Sequence, residues 1–258
     1  MTTRLYTEEA ELYDIAFSWD LDEEAAWLLG RLGGSGVRTL LEPACGSGRV
    51  LEAFAAVGVE AVGIDLSPRM VALANERLAR KGLPGEARLA DMVSFDLGRT
   101  FDGAVCPIDS VACLHRPADV VRHLHSVAHH LGKGGKYLVQ IELRDPDEPW
   151  ASVAPSSWIA EREGVRLRID WTVREIDLDR GLEVQHSRIE VLSGPRQGEV
   201  LEETHLLAAW TPARWAGAIL RSPFSYARTF DGDQAARPEL PLGAPGRLLW
   251  HELVVDDR

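Results

Sequence analysis

No stretch of this 258-residue chain is apolar over anything like the ~20 residues that a membrane-spanning helix requires, so no membrane partner is expected. Basic residues are outnumbered: 28 Lys and Arg face 40 Asp and Glu, a formal charge of −12. With no Lys/Arg cluster interleaved with aromatics, that charge opposes binding to nucleic acid. Cysteine is confined to Cys45, Cys106 and Cys113, without the spacing of a disulfide framework. Free thiols that pack as small apolar groups in a reducing compartment are the expectation. The opening segment, MTTRLYTEEAELYD, lacks the basic-then-apolar order of a signal peptide, so the expected location is cytoplasmic. Also missing are an internal repeat, a low-complexity segment and a Ser/His/Asp constellation for nucleophilic catalysis. His123, His125, His129 and His130 fall on one predicted helix, but no acids or cysteines complete a metal set. A partly solvated helix face is expected there.

What is present is ordinary globular material, 45% hydrophobic and 26% charged, in a chain long enough for a sizeable core. The most informative stretch is Val37 to Asp65, VRTLLEPACGSGRVLEAFAAVGVEAVGID. An apolar run leads to Glu42 and the glycine-rich turn Ala44-Cys45-Gly46-Ser47-Gly48. A helical pattern follows, then a second apolar run that stops at Asp65. A strand, a tight turn, a helix and a strand ending in an acid make half of a nucleoside-binding site. Gly46 and Gly48 let backbone N–H groups approach a ligand, and Asp65 sits where a carboxylate accepts both ribose hydroxyls. A dinucleotide fold wants a third glycine where Leu51 stands, and Glu42 would repel a pyrophosphate. An acid at that point suits a ligand with a cationic end.

Strands and helices alternate from there to Glu142, which implies a doubly wound α/β fold built on a parallel sheet. Ser67-Pro68 caps a helix over Arg69 to Arg80. Glu42, Asp65, Asp91 and Asp109 all fall at the carboxyl ends of strands, where such sheets bind ligands. After Trp150 the period changes to two. Val165 to Arg174, Leu182 to Leu192 and Val200 to Trp210 predict a three-stranded antiparallel meander. A helix from Ala213 to Leu220 and strands near Tyr226 to Phe230 and Leu248 to Val255 follow.

The form E-x-A-C-G-x-G, closed by Asp65, resembles the first two motifs of class I S-adenosylmethionine-dependent methyltransferases. The N-terminal tyrosines, the EPACGSG turn, the LGKGG helix stop, the meander and the ETHLLAAWTPARW stretch extend the likeness to bacterial small-molecule methyltransferases, including amino-sugar N-methyltransferases. The resemblance implies a seven-stranded Rossmann-like sheet with an N-terminal helical lid and an inserted β-meander. It divides the chain into lid (1–36), cofactor-binding core (37–149), β insertion (150–210) and completion of the core sheet (211–258).

It also implies a site. Ala44, Gly46 and Gly48 would face the methionine portion of S-adenosylmethionine, and Asp65 would hold the ribose. Glu42 either faces the cofactor's ammonium or bonds to loop backbone. Asp91 either accepts from the adenine amino group, with the backbone of Met92 on the ring, or is a solvated strand-end acid; Leu66 and Met70 either pack on the adenine face or, for Met70, belong to the core. Asp109, at the methyl-donor end, either touches substrate or the lid, or caps the turn after it. His115 either accepts a proton from the substrate or lies exposed in its loop. Tyr13, with Tyr6 and Trp19, either closes over the cofactor or packs two short helices together. Trp150, Trp158, Trp171, Trp210 and Trp215 either wall a sugar-binding pocket or form a homodimer interface.

The expected activity is transfer of the sulfonium methyl to a nitrogen or oxygen of a small-molecule acceptor by in-line displacement. The protein's part is mainly alignment and desolvation. The alternatives are a nucleotide-dependent oxidoreductase, which Leu51 and Glu42 oppose, and a non-catalytic S-adenosylmethionine-binding module, which the intact Gly46, Gly48 and Asp65 oppose.

Overall fold

Residues 3–148 and 153–256 are described by the structure, a computed structural model. Trp150 and the expected boundary between residues 149 and 150 lie outside the described residues. Two short helices, α1 (Ala10–Ala16) and α2 (Asp22–Leu32), precede β1 (Thr39–Pro43). Then come α3 (Arg49–Ala56), β2 (Glu60–Asp65), α4 (Pro68–Lys81), β3 (Gly85–Leu89), β4 (Gly103–Cys106), α5 (Pro117–His129) and β5 (Lys136–Leu143). The second sheet contributes β6 (Ser156–Arg162), β7 (Val165–Asp177), β8 (Leu182–Ser193) and β9 (Val200–Ala208). The chain then forms α6 (Pro212–Leu220), β10 (Phe224–Phe230), β11 (Glu239–Leu240) and β12 (Gly246–Val255).

Local chemistry sets these boundaries. Ser67 accepts the Met70 N–H at the start of α4, Pro68 occupies the first turn, and Gly82 ends the helix in the left-handed region at φ 60°. Thr211 and Pro212 start α6 in the same way.

The main sheet runs β11-β10-β12-β5-β4-β1-β2-β3. Strands β5, β4, β1, β2 and β3 are parallel neighbours, and β12 returns antiparallel beside β5. The sequence predicts seven strands; the eighth is the two-residue edge strand β11. The insertion is a separate four-stranded antiparallel sheet, not the expected three-stranded meander. The added strand, β6, is joined to β7 by Glu163-Gly164, both at positive φ (52° and 81°), the geometry of a two-residue hairpin turn.

Helix α1 and the segment before it pack on this second sheet, whereas α2 packs on the main sheet. Leu5, Leu12, Ile15 and Phe17 share a core with Leu167, Ile169, Ile189 and Val191. The Glu203 carboxylate accepts the Arg4 and Leu5 N–H groups at 2.9 and 3.1 Å, and Trp158 Nε1 donates to the Ala16 carbonyl at 2.7 Å.

Two expectations about side chains are corrected. His123 and His130 are fully buried; only His125 and His129 of that helix are exposed. His123 donates from Nδ1 to the Met92 carbonyl and accepts from the Tyr137 hydroxyl, both at 2.9 Å. Trp210 and Trp215 are core residues packed 5.7 Å apart, so they neither wall a pocket nor form an interface. Cys45 and Cys106 are buried as free thiols, whereas Cys113 is exposed. Among the described residues no helix is long and apolar enough to cross a membrane, and no His, Cys, Asp and Glu group forms a metal site.

Burial pushes His123 down to about 4 and His251 down to about 3, so both are neutral in the fold. In the unfolded chain they protonate near 6.5. Their contribution is therefore complete above that pH and is lost as pH falls through the lower values. Thermal unfolding followed from about pH 7 to about pH 4.5 should show a falling midpoint. His123→Gln should flatten that slope, and an unchanged slope would remove His123 from the account.

Candidate active site

The order of the main sheet reverses between β4 and β1, and the crevice at the carboxyl ends of these strands is where an open α/β sheet binds ligands. The turn after β1 enters the left-handed region at Ala44 (φ 56°), Gly46 (52°) and Gly48 (77°). A Cβ on Gly48 would lie 2.7 Å from the Ala74 Cβ, so that glycine is required for α4 to pack against the turn. A Cβ on Gly46 would meet the Tyr13 ring at 3.7 Å. Tyr13 of α1 thus lies against the glycine turn.

Asp65, at the end of β2, holds the turn from the other side. Its carboxylate accepts the Gly46 N–H at 2.9 Å and the Ser67 N–H at 2.8 Å. Burial raises its pKa, and the backbone donors pull it back. A carboxylate has about four lone-pair sites, so acceptor capacity remains for two hydroxyls of a ligand.

Beside the turn, a small cavity of about 20 Å³ is lined by Tyr13, Glu42, Ala44, Ser47, Arg49 and Ile108, among others. Glu42 is 2% exposed. One of its oxygens and the Arg49 Nη1 are buried without a hydrogen-bond partner among the described residues. Burial pushes Glu42 well above the usual carboxylate range, against the pull of the Arg49 charge. The Arg49 guanidinium lies 4.6 Å from the Trp19 ring, which joins a second N-terminal aromatic to the turn. Tyr13 is pushed up to about 12 by burial and remains a phenol that can donate. Sequence reasoning missed Arg49, although its place directly after Gly48 at the start of α3 was a usable signal.

At the end of β4, Ile108 and Asp109 also adopt left-handed backbone (φ 56° and 53°). A β-branched residue there is an outlier of the kind that clusters at functional sites, at a cost of about 1–3 kcal/mol. Ile108 N–H donates to Gln140 at 2.8 Å, and Asp109 Oδ1 accepts the Glu142 N–H at 3.3 Å. Burial, then the nearby Glu142 and Glu183 carboxylates, raise Asp109 well above its ordinary value. Arg144 balances this cluster, reaching Glu183 at 2.9 Å and Glu142 at 2.6 Å. Next to it, a cavity of about 490 Å³ is bounded by Leu143, Arg144, Asp145, Ile176, Leu178 and Arg247, among others.

The remaining predicted residues are more dispersed. His115 Nε2 donates to the Leu206 carbonyl of β9 at 2.6 Å, so any proton it accepts goes to Nδ1. Asp91 is exposed and accepts the Val93 N–H. The Met92 carbonyl is taken by His123. Leu66 is 60% exposed at the end of β2, whereas Met70 is buried in the protein.

Residues 40–135 match a family described as "Methyltransferase domain". Over 155 residues the chain is 28% identical to dTDP-4-amino-2,3,4,6-tetradeoxy-D-glucose N,N-dimethyltransferase of Saccharopolyspora spinosa, covering 58% of this chain and 57% of that protein. Over 188 residues it is 29% identical to dTDP-3-amino-3,4,6-trideoxy-alpha-D-glucopyranose N,N-dimethyltransferase of Streptomyces venezuelae, covering 70% and 73%. The matched region thus spans a little over half the length of the first relative. Among solved structures, the fold superimposes with a TM-score of 0.73 on CalS10 of Micromonospora echinaspora, an S-adenosylmethionine-bound amino pentose methyltransferase. Identity there is 22%, over 95% of this chain and 96% of that one, a likeness of fold. These matches support neither an oxidoreductase nor a non-catalytic scaffold.

The residues present fit S-adenosylmethionine, the molecule bound in CalS10. The orphaned Glu42 oxygen and Arg49 guanidinium are complementary to the ammonium and carboxylate of an amino-acid tail. Asp65→Ala should weaken binding of S-adenosylhomocysteine by ~1–3 kcal/mol, from lost hydroxyl bonds and a released turn. Calorimetric titration checks this, and wild-type affinity in the variant would overturn the assignment.

Proposed function

We propose that this S-adenosylmethionine-dependent methyltransferase of the class I fold acts on the amine of a sugar carried by a nucleotide. The observation that carries the reading is Asp109, a partly buried carboxyl with a raised pKa on a left-handed turn at the end of β4. The cavity of about 490 Å³ begins at Leu143 and Arg144, directly after Glu142, whose N–H bonds to Asp109. Its mixed lining of aliphatic side chains and Arg144, Asp145 and Arg247 suits an acceptor with apolar, hydroxyl and anionic parts. The names of both relatives, which act on dTDP-linked amino sugars, support the same class.

The cofactor supplies an electrophilic methyl group and its leaving group. The chain supplies the rest. Glu42 and Arg49 would hold the amino-acid tail, Asp65 the ribose and Asp91 the adenine amino group. The exposed Leu66 side chain and the Met92 backbone would bound the ring. Tyr13 and Trp19 cover the glycine turn and keep water out, which strengthens every polar contact beneath them. The acceptor amine must reach the donor neutral and lose a proton after transfer. Asp109 takes that proton, because burial and Glu142 bring its basicity toward that of the amine. Arg144 keeps the Asp109, Glu142 and Glu183 cluster from carrying uncompensated charge. Cytoplasmic location fits the free thiols.

Two measurements follow from this assignment. The purified protein with S-adenosylmethionine should methylate dTDP-linked amino sugars; turnover of phenols with none of amino sugars would refute the acceptor class. The kcat/KM profile should rise with pH through a group above the usual carboxylate range. Asp109→Asn should remove that limb and lower kcat by about 10²-fold. A variant that keeps the wild-type profile would exclude Asp109 as the proton acceptor.

A further inference from the structure

We propose that Asp14 latches the N-terminal helices to the glycine turn, so that lid closure and placement of the cofactor loop are one event. Asp14 is then a positioning residue; this deepens the reading of that turn as the cofactor site. The observation is a convergence of three parts of the fold on one buried carboxylate. Asp14 lies on α1 and is 3% exposed. Its Oδ1 accepts from the Ser47 hydroxyl at 2.5 Å and from the Arg77 guanidinium of α4. Its Oδ2 pairs with Arg162 of β6 at 2.7 Å, and its backbone carbonyl accepts from the same guanidinium at 3.3 Å.

Ser47 is the residue between the two glycines of the turn, itself 1% exposed. Arg77 donates Nε to the Ser47 carbonyl at 2.9 Å and pairs through Nη1 with Glu52 of α3 at 2.6 Å. The turn is thus gripped at its hydroxyl by the lid and at its carbonyl by the arginine that also holds the lid. Charge-assisted bonds of this kind are directional, unlike the apolar contacts under α1; the exposed Glu11–Arg69 pair also joins α1 to α4 but does not touch the turn. The next residue toward the N-terminus, Tyr13, is the one whose ring lies on Gly46. A shift of α1 therefore moves the cover and the grip together. Burial alone would raise the Asp14 pKa, but the Ser47 hydroxyl, Arg77 and Arg162 outweigh it and keep the carboxylate ionised. Coupling of this type is reciprocal: a ligand that fixes the turn stabilises the closed lid by the same factor that the closed lid adds to its affinity.

Amide hydrogen exchange of α1 and of the turn, with and without S-adenosylhomocysteine, tests this in wild type, Ser47→Ala, Asp14→Ala and Asp14→Asn. In wild type the ligand should slow exchange in α1 as well as in the turn. Ser47→Ala keeps both Asp14 arginine pairs, so the ligand-free lid should stay closed. Its α1 response to ligand should nevertheless shrink, and its affinity should fall about tenfold. Asp14→Asn, which retains an acceptor for the Ser47 hydroxyl, should recover part of both. Asp14→Ala should speed α1 exchange even without ligand. Wild-type coupling and affinity in Ser47→Ala would overturn the proposal, and that variant decides the matter if Asp14→Ala fails to fold. If wild type shows no response to ligand at all, the cofactor assignment fails. The ligand-free comparison of Asp14→Ala with wild type then still decides whether the latch exists, and unchanged α1 exchange would reject it.

Discussion

The bond from the Gly46 N–H to the Asp65 carboxylate is the constraint on which the rest of the site depends. It ties the end of β2 to the turn after β1 and holds a backbone that alternates into the left-handed region at Ala44, Gly46 and Gly48. A charge-assisted bond in a partly dry crevice can hold such a turn in place where a solvated one would let it relax. Ala74 locks the far side by filling the space that a Gly48 side chain would need. With the turn fixed, one Glu42 oxygen and the Arg49 Nη1 lie at a narrow space without hydrogen-bond partners among the described residues. Such atoms are costly to bury unless something with the complementary charges arrives.

The second half of the site rests on strain and charge instead. Ile108 and Asp109 occupy left-handed backbone at the end of β4, anchored by Gln140 and by the Glu142 N–H. Three carboxylates, Asp109, Glu142 and Glu183, share one neighbourhood with Arg144. Arg144 pairs with Glu183 and Glu142, and burial raises the basicity of both Asp109 and Glu142. The second sheet contributes Glu183 to this cluster and Arg162 to Asp14 of α1. It is therefore a structural partner of both ends of the crevice.

Features decided by near neighbours in the chain were legible in the sequence. The glycine turn, the Ser67-Pro68 helix start and the strand-ending acids all depend on residues a few positions apart, and the parallel core follows from their alternation. Strand β6 was missed although Trp158 and Ala160 alternate ahead of the Glu163-Gly164 turn, because the run is short and half polar. His123 was misjudged although it shares the apolar face of Val120, Leu124 and Val127 on α5; its burial depends on Met92 and Tyr137, which come from other elements. Asp14, Ser47 and Arg77 carry no local signature, since their meaning arises only when α1, the turn and α4 meet. Arg49 was visible in position but not in role, because its lack of a partner is a property of the folded interior.

The proposed cofactor site is the turn with Glu42, Arg49 and Asp65, which would hold a sulfonium nucleoside and its demethylated product. The most direct measurement is titration calorimetry of the folded wild-type protein with S-adenosylmethionine and S-adenosylhomocysteine, with the nicotinamide dinucleotides as controls. The account predicts saturable binding of one molecule of either sulfur nucleoside per chain and none of the dinucleotides. Absence of heat from both sulfur nucleosides, in a protein shown to be folded, would contradict it.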